Sequence, residues 1–520
     1  MEQRLLPIGI QDFSEIINKD FVYVDKTELV YRMTHTSGKA LFLSRPRRFG
    51  KSLLCSTLRY YFEGRRELFR GLAIEKLETE WKQYPVFHFD ISQCKEGAVE
   101  LVCSRLDSLL AGYERDYNLD SSMPSFGGRL ERLIKTAYEK TGNQAVLIFD
   151  EYDSVMLSAL NDPEKMEQVR GIFNSFFGPV KFMDKYLRFV FITGITKFSQ
   201  MSIFSTINNL RNISMDEQWE SICGITAREL EANFADRIAL MGEKNEWTAE
   251  QTMARLRDNY DGYHFSKALT DIYNPFSIIN ALSDYDVEDY WFGSATPTAL
   301  IETLRYYEFD PNTLEGVTVQ SVGFDQPFDY FDDAVPILYQ SGYLTIKDYD
   351  RETREYTLGI PNGEVRRGLY YTLMRHYLGA SQRASNNVVM NIKRAVCDND
   401  IDKVLEALKV YLASLPHHLS NKTEQDFETI LRVLFNGIGT EVDTEVQNAV
   451  GRCDVVLKNA GTIYVLELKT SKNSTVDEAL AQIDEKNYLI PYWNDPRRKV
   501  KVGVVVDTET RTISDWKVVK

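Results

Sequence analysis

The chain lacks any run of about 18 uninterrupted apolar residues, so no segment reads as a membrane-spanning helix. Its first residues, M-E-Q-R-L-L-P-I-G-I, have neither the long apolar stretch nor the small-residue cleavage site of a secretory signal. Cysteine is sparse. Cys55, Cys94, Cys103, Cys223, Cys397 and Cys453 form no C-x-x-C pair and no zinc-type spacing. With no export signal, a reducing cytoplasm is the expected compartment. Excess positive charge is also missing. A formal net charge of −15 excludes broad coating of a polyanion. Nucleic-acid contact is then left to local clusters at Arg45–Arg48, Arg366–Arg367 and Arg497–Lys501, although such runs are ordinarily solvated faces. No internal repeat or low-complexity tract is present. What remains is 43% hydrophobic and 26% charged, as in ordinary globular chains. At about 150 residues per domain, the length implies three or four domains.

Two motifs carry the chemistry of the N-terminal part. The run S-R-P-R-R-F-G-K-S-L-L at Ser44–Leu54 follows an apolar strand, Ala40–Ser44, and precedes an amphipathic helix with Leu53, Leu54, Leu58, Tyr61 and Phe62 inward. That layout presents Gly50, backbone N–H groups, Lys51 and a helix N-terminus to phosphate oxygens. Lys51 is expected at the β/γ-phosphates, with the Ser52 hydroxyl on Mg²⁺. Arg47 and Arg48 add charge near the nucleotide or face solvent. The usual first glycine of such a loop is replaced by Arg45. The second motif, A-V-L-I-F-D-E-Y-D at Ala145–Asp153, is an apolar strand ending in two carboxylates. Asp150 is expected to hold Mg²⁺ through water and Glu151 to polarise an attacking water.

Four strands, Ala40–Ser44, Pro85–Asp90, Ala145–Asp150 and Arg188–Thr193, alternate with helical patterns, which predicts a parallel sheet with crossovers. A strand between the phosphate loop and Asp150, with a glutamate beside the aspartate, is the layout of the additional-strand catalytic-glutamate NTPases. Thr193 stands where a γ-phosphate sensor would sit, with Thr196 and Lys197 behind it, or it is a plain strand cap. Residues 201–295 read as helical and aromatic, with Arg211 a candidate trans-acting finger. The segment around Ala334–Glu364 resembles a winged-helix unit. Its apolar Ile337, Leu338 and Leu344 favour a structural spacer over a DNA reader. Helices at Glu364–Tyr377 and Asn387–Leu412 lead to a break at Pro416.

The last hundred or so residues read as helix, three strands, helix, strand, with Asp454 on one strand and Glu467-x-Lys469 on the next. Side chains two apart on a strand share a face, so Glu467 and Lys469 point together while Leu466 and Leu468 fill the other face. Carboxylates from adjacent strands hold Mg²⁺ and a lysine beside them orients or deprotonates water, as phosphodiester hydrolysis requires. Glu424 on the preceding helix and Gln482 on the following one complete the constellation.

R-P-R-R-F-G-K-S-L, F-D-E-Y-D, N-N-L-R-N-I-S, Y-D-G-Y-H-F and Y-N-P-F-S resemble the bacterial AAA-ATPase-like family. G-R-C-D-V-V-L, I-Y-V-L-E-L-K and A-L-A-Q-I-D-E-K-N-Y resemble the PD-(D/E)XK nuclease domain that such proteins carry at the C-terminus. In that family the phosphate loop also lacks its first glycine, so Arg45 is a family trait. The resemblance implies an α/β protein: a P-loop NTPase parallel sheet with a helical lid, a winged-helix-like middle region and a C-terminal restriction-endonuclease-like α/β domain. Expected boundaries are 1–200 for the ATPase-like domain, 201–300 for the lid, 301–380 for the middle region, 381–418 for a helical linker and 419–520 for the nuclease-like domain. It matches Lys51, Ser52, Asp150 and Glu151 to a nucleotide site, and Glu424, Asp454, Glu467, Lys469 and Gln482 to a nuclease site. The implied cofactors are ATP and Mg²⁺. The implied partner is nucleic acid, DNA rather than RNA, with no membrane, and homo-oligomerisation is left open. The expected function is ATP hydrolysis coupled to a Mg²⁺-dependent nuclease. The competing readings are an ATP-regulated nucleic-acid-binding or signalling protein that does not cut, and an ATPase whose C-terminal module makes only protein contacts.

Overall fold

A computed structural model describes the 520-residue chain except for residues 1–3, 37, 93–98, 121–122, 159–161, 197–209, 294–303, 305–306, 308–313, 326–332, 378–381, 414–423, 438–440, 448–451, 460, 471–474 and 511. Two compact units result: 1–309 with 316–362, and 310–315 with 363–520.

The first unit is built on a five-stranded parallel sheet of β1 (Ala40–Ser44), β2 (Val86–Asp90), β3 (Ala145–Asp150), β4 (Leu187–Gly194) and β5 (Leu210–Asn212), in the order β2-β3-β4-β1-β5. Its central strands are near-continuous apolar runs because helices cover both faces. Phe87, Phe89, Leu147 and Phe149 pack beneath the helices Val99–Asp116, Phe126–Thr141 and Pro163–Phe177. The opposite face carries the helix Lys51–Phe62, whose Leu54, Leu58 and Phe62 are buried. In sequence, β2 intervenes between the phosphate loop and Asp150. In space the intervening strand is β4, and β2 lies at the sheet edge.

Residues 201–295 are not wholly helical. Leu210–Asn212, inside the N-N-L-R-N-I-S motif, forms β5 and pairs in parallel with β1. The helices Ala227–Asn245, Ala249–Tyr260 and Pro275–Asp284 then build their own core around Leu230, Phe234, Leu256, Tyr260 and Ile278. A short ribbon, β6 (Ile225–Thr226) with β7 (Ile272–Tyr273), ties its start to its end. The middle region contains an antiparallel sheet ordered β8 (Val317–Gln320), β10 (Glu355–Gly359), β9 (Thr345–Asp350). Beside it the helix Val335–Ser341 buries Ile337 and Leu338, and Leu344 is buried just after it. That burial agrees with the spacer expectation. A Cβ on Gly342 would come within 2.6 Å of Pro46, so this helix end abuts the phosphate loop.

In the second unit the helix Gly363–Tyr377, expected to belong to the middle region, packs instead against the helix Glu424–Gly437. The expected single helix over Asn387–Leu412 is two, Gln382–Cys397 and Ile401–Ala413, broken where Asn399 adopts a left-handed φ of 54°. A mixed sheet follows, β11 (Glu441–Gln447), β12 (Arg452–Lys458), β13 (Thr462–Thr470), β14 (Arg498–Asp507) and β15 (Thr512–Val519), in chain order. Only β13 and β14 run in parallel. The edge strand β15 is an addition to the expected pattern. Leu466 and Leu468 join Val504, Val506, Leu408 and Leu431 in one apolar layer. On the other face Ile463 and Val465 pack with Leu480 and Ile483 of the helix Val476–Glu485. Gly503 permits this close approach: a Cβ there would lie 2.6 Å from the Val476 carbonyl.

Candidate functional sites

The phosphate loop runs from the end of β1 to Lys51. Gly50 immediately precedes the helix with φ of 90°, a conformation that glycine adopts without a steric penalty. Arg45, in the place of the first glycine, is 1% exposed. Its guanidinium donates to the carbonyls of Ser44 and Ser214 (2.8 Å each) and Trp219 (3.1 Å), and lies 4.1 Å from the centroid of the Phe265 ring. Arg45 is therefore a buried pin, which removes it from the expected basic surface cluster. Arg47 and Arg48 are exposed on the loop, with Arg48 over the Phe276 ring at 4.7 Å.

Lys51 is 4% exposed, and its ammonium donates to the carbonyls of Arg45 and Pro46 at 3.0 Å each. One turn of helix and the end of β3 bring the Ser52 hydroxyl into hydrogen bonding with Asp150. Burial pushes the Asp150 carboxyl up to about 6. Ser52 opposes that shift, and the Glu151 charge adds to it. Among the described residues, Oδ1 of Asp150 is buried with no hydrogen-bonding partner. Oxygen donors of this kind suit a hard cation such as Mg²⁺. Glu151 has a left-handed φ of 49°, a strained backbone for a non-glycine residue, and lines the cleft. Asp153 is buried and accepts from the amides of Ile195 and Thr196 and the Thr196 hydroxyl, which fastens the loop after β4.

The cleft has a volume of about 530 Å³ and is lined by Arg47, Arg48, Gly50, Lys51, Ser52 and Glu151. Part of its wall was not anticipated: Pro7, Gly9 and Gln11 from the N-terminal segment, and Pro275, Phe276 and Ile279 from the helix Pro275–Asp284. A smaller apolar cavity of about 90 Å³ shares Pro7, Gly50, Leu53 and Ile279 with it. The sequence signal was present in the P-I-G-I and N-P-F-S-I-I runs, but only folding brings them together.

Of the two expectations for Thr193, its surroundings favour the plain strand cap. It is fully buried and its hydroxyl donates to the Leu43 carbonyl at 2.8 Å, so it ties β4 to β1 inside the sheet instead of facing the cleft. Lys197 lies outside the described residues. Arg211 sits on β5 and is ion-paired with Asp216.

In the second unit, the β12–β13 register pairs Val455 with Leu466, and its continuation sets Asp454 opposite Glu467. Oδ2 of Asp454 accepts the Leu468 amide at 2.7 Å. The Glu467 side chain is 1% exposed, and the Lys469 ammonium lies 2.8 Å from its Oε1. Gln482 donates to the Tyr488 hydroxyl at 3.3 Å. Burial raises the pKa of that phenol, helped by the charges of Glu467 and Asp454, so Tyr488 belongs to the same neighbourhood. Asp454, Glu467, Lys469 and Gln482 thus converge, with Tyr488 the residue that sequence reasoning missed. Glu424 opens the helix Glu424–Gly437, but its side chain lies outside the described residues. Two carboxylates with an adjacent ammonium are a donor set that fits a divalent cation and a phosphodiester. The flanking basic residues are largely engaged: Arg366 with Glu315, Arg497 with Asp495, Lys501 with Asp484. Among the described residues, no helix is long and apolar enough to cross a membrane.

Comparison with known proteins agrees with this two-site architecture. Residues 7–204 match the AAA-ATPase-like family, described as a predicted AAA-ATPase, and residues 422–516 match the PD-(D/E)XK nuclease superfamily. The chain is 29% identical over 524 residues to a protein of Azotobacter chroococcum mcd 1 described as uncharacterized and located in the vnfD 5' region, covering 99% of this chain and 98% of that one. No solved structure matches. The chain therefore carries an AAA-ATPase-like domain followed, toward its C-terminus, by a PD-(D/E)XK nuclease superfamily domain.

Proposed function

We propose that the protein binds and hydrolyses ATP in its first unit and cleaves phosphodiester bonds of nucleic acid, DNA rather than RNA, in its second, with Mg²⁺ serving both. At the first site Lys51 and the amides of the loop meet the β/γ-phosphate oxygens, and Ser52 and Asp150 hold the cation. Glu151 orients and polarises the attacking water. Arg47 and Arg48 add charge at the rim. The apolar cavity beside Gly50 and Leu53 suits the base.

At the second site Asp454 and Glu467 hold the cation, with Glu424 as a further carboxylate. Bound there, the cation supplies Lewis acidity and a water nucleophile of lowered pKa. Lys469 orients that water and offsets charge developing on the phosphate, while Gln482 and Tyr488 position the group. The observation that carries the reading is the buried Glu467 with Lys469 at 2.8 Å on the same strand face and Asp454 on the neighbouring strand. The test is incubation of the full chain with plasmid and single-stranded substrates, with and without ATP and Mg²⁺. Binding without cleavage would favour the non-cutting regulatory protein instead.

A further inference from the structure

Beneath the phosphate loop lies a cluster of which only Asp150 belongs to the sites described above. Strand β2 alternates, so Phe87 and Phe89 enter the main core while His88 takes the opposite face, the one covered by the helix Lys51–Phe62. On that helix Cys55 is fully buried. On the adjacent β3, Asp150 completes the group. One donor atom each from Cys55, His88 and Asp150 lie within 4.8 Å of one another. Among the described residues, His88 Nε2 and Asp150 Oδ1 are buried polar atoms with no hydrogen-bonding partner. Leaving such atoms unsatisfied is costly, and a shared ligand would satisfy both at once.

We propose that Cys55, His88 and Asp150 form a binding site for Zn²⁺. Zinc bonds of about 2.0–2.3 Å in a tetrahedron set donor atoms roughly 3.3–3.8 Å apart, so closure from the observed spacing needs movement of only about 1 Å. A thiolate with an imidazole selects zinc over Mg²⁺ or Ca²⁺, which prefer oxygen. Binding displaces the Cys55 thiol proton, which leaves to bulk solvent.

Asp150 stands beside Ser52, which lines the nucleotide cleft. Zn²⁺ would withdraw Asp150 from Mg²⁺ and so oppose nucleotide hydrolysis. That consequence rests on the proposed ATPase reading; the zinc site itself does not.

Co²⁺ titration of the full chain tests the site by absorption spectroscopy, because a thiolate bound to Co²⁺ gives a near-ultraviolet charge-transfer band that oxygen ligands do not. The expected result is that band in the wild type, bleached by Zn²⁺, absent in Cys55→Ser, and shifted to Co²⁺ concentrations higher by about tenfold or more in His88→Gln. Circular dichroism checks that both variants fold, and if one does not, the other decides. No thiolate band in the wild type, or an unchanged band in Cys55→Ser, overturns the site. With the band present, Zn²⁺ inhibition of ATP hydrolysis in the wild type that is lost in Cys55→Ser supports the link to Asp150. Inhibition that persists in Cys55→Ser overturns that link while leaving the site standing.

Discussion

The guanidinium of Arg45 and the backbone carbonyl of Trp219, 174 residues apart in sequence, are joined by a hydrogen bond of 3.1 Å in the floor of the phosphate loop. Where glycine usually begins such a loop, this chain uses a buried cation satisfied almost entirely by carbonyl oxygens and an aromatic face. Replacing it would remove these donors; the Trp219 carbonyl would keep the Ile222 amide. Arg45→Gly, although it restores the common loop pattern, is expected to lower stability by on the order of 3 kcal/mol. Urea denaturation followed by tryptophan fluorescence measures this, and unchanged stability would contradict the pinning role.

In the proposed nucleotide site, binding and chemistry fall to different residues. Lys51→Ala removes the one lysine that lines the cleft among the described residues and is expected to weaken ATP by about a hundredfold, read with a fluorescent analogue. Glu151→Gln should keep ATP bound and slow hydrolysis by about two to three orders of magnitude, since only the polarising carboxylate is lost. Equal loss of binding in both variants would argue against these separate roles.

Asp261, in the Y-D-G-Y-H-F motif, is a buried carboxyl raised to about 6, chiefly by burial and further by the Asp271 charge, with Gly262, Tyr273 and the Arg257 charge acting the other way. The folded protein thus holds this proton more tightly than the unfolded chain, whose value is near the ordinary 3.8. Stability contributed by the group is present below the unfolded value and falls as pH rises from about 4 to about 6. Asp261→Asn should therefore gain about 2 kcal/mol at neutral pH and flatten that part of the stability profile. Denaturant midpoints across the acidic range would show it.

Much of the fold could be read from the chain because the inner strands are short apolar runs buried on both faces. Ala40–Ser44 and Ala145–Asp150 coincide with β1 and β3. The elements that escaped are edge strands. Leu210–Asn212 is three half-buried residues with a central arginine, and only its pairing with β1 makes it a strand. Thr512–Val519 alternates weakly and carries charge at the sheet margin. At the sites, the motif carboxylates and lysines were legible because chemistry demands those types at those spacings. The pin at Arg45 and the hydroxyl of Thr193 were not, because the carbonyls they meet are supplied by distant parts of the chain.

Tyr488 was missed for the same reason, since its relation to Gln482 and the acidic pair exists only once the helix Val476–Glu485 lies on the sheet. As a positioning residue, it should tune cleavage without holding metal. Tyr488→Phe is expected to slow cleavage by about tenfold while leaving Mg²⁺ affinity unchanged. Isothermal titration beside a cleavage assay separates the two effects, and a matching fall in Mg²⁺ affinity would contradict the assignment.

The most direct measurement of the central claim is cleavage of plasmid and single-stranded DNA by the full chain and by Lys469→Ala, with ATP and Mg²⁺. Cleavage should occur in the wild type, stop with EDTA, and fall to background in Lys469→Ala while ATP hydrolysis continues. A wild type that cuts in no nucleotide state, or a Lys469→Ala variant that cuts normally, would contradict the account.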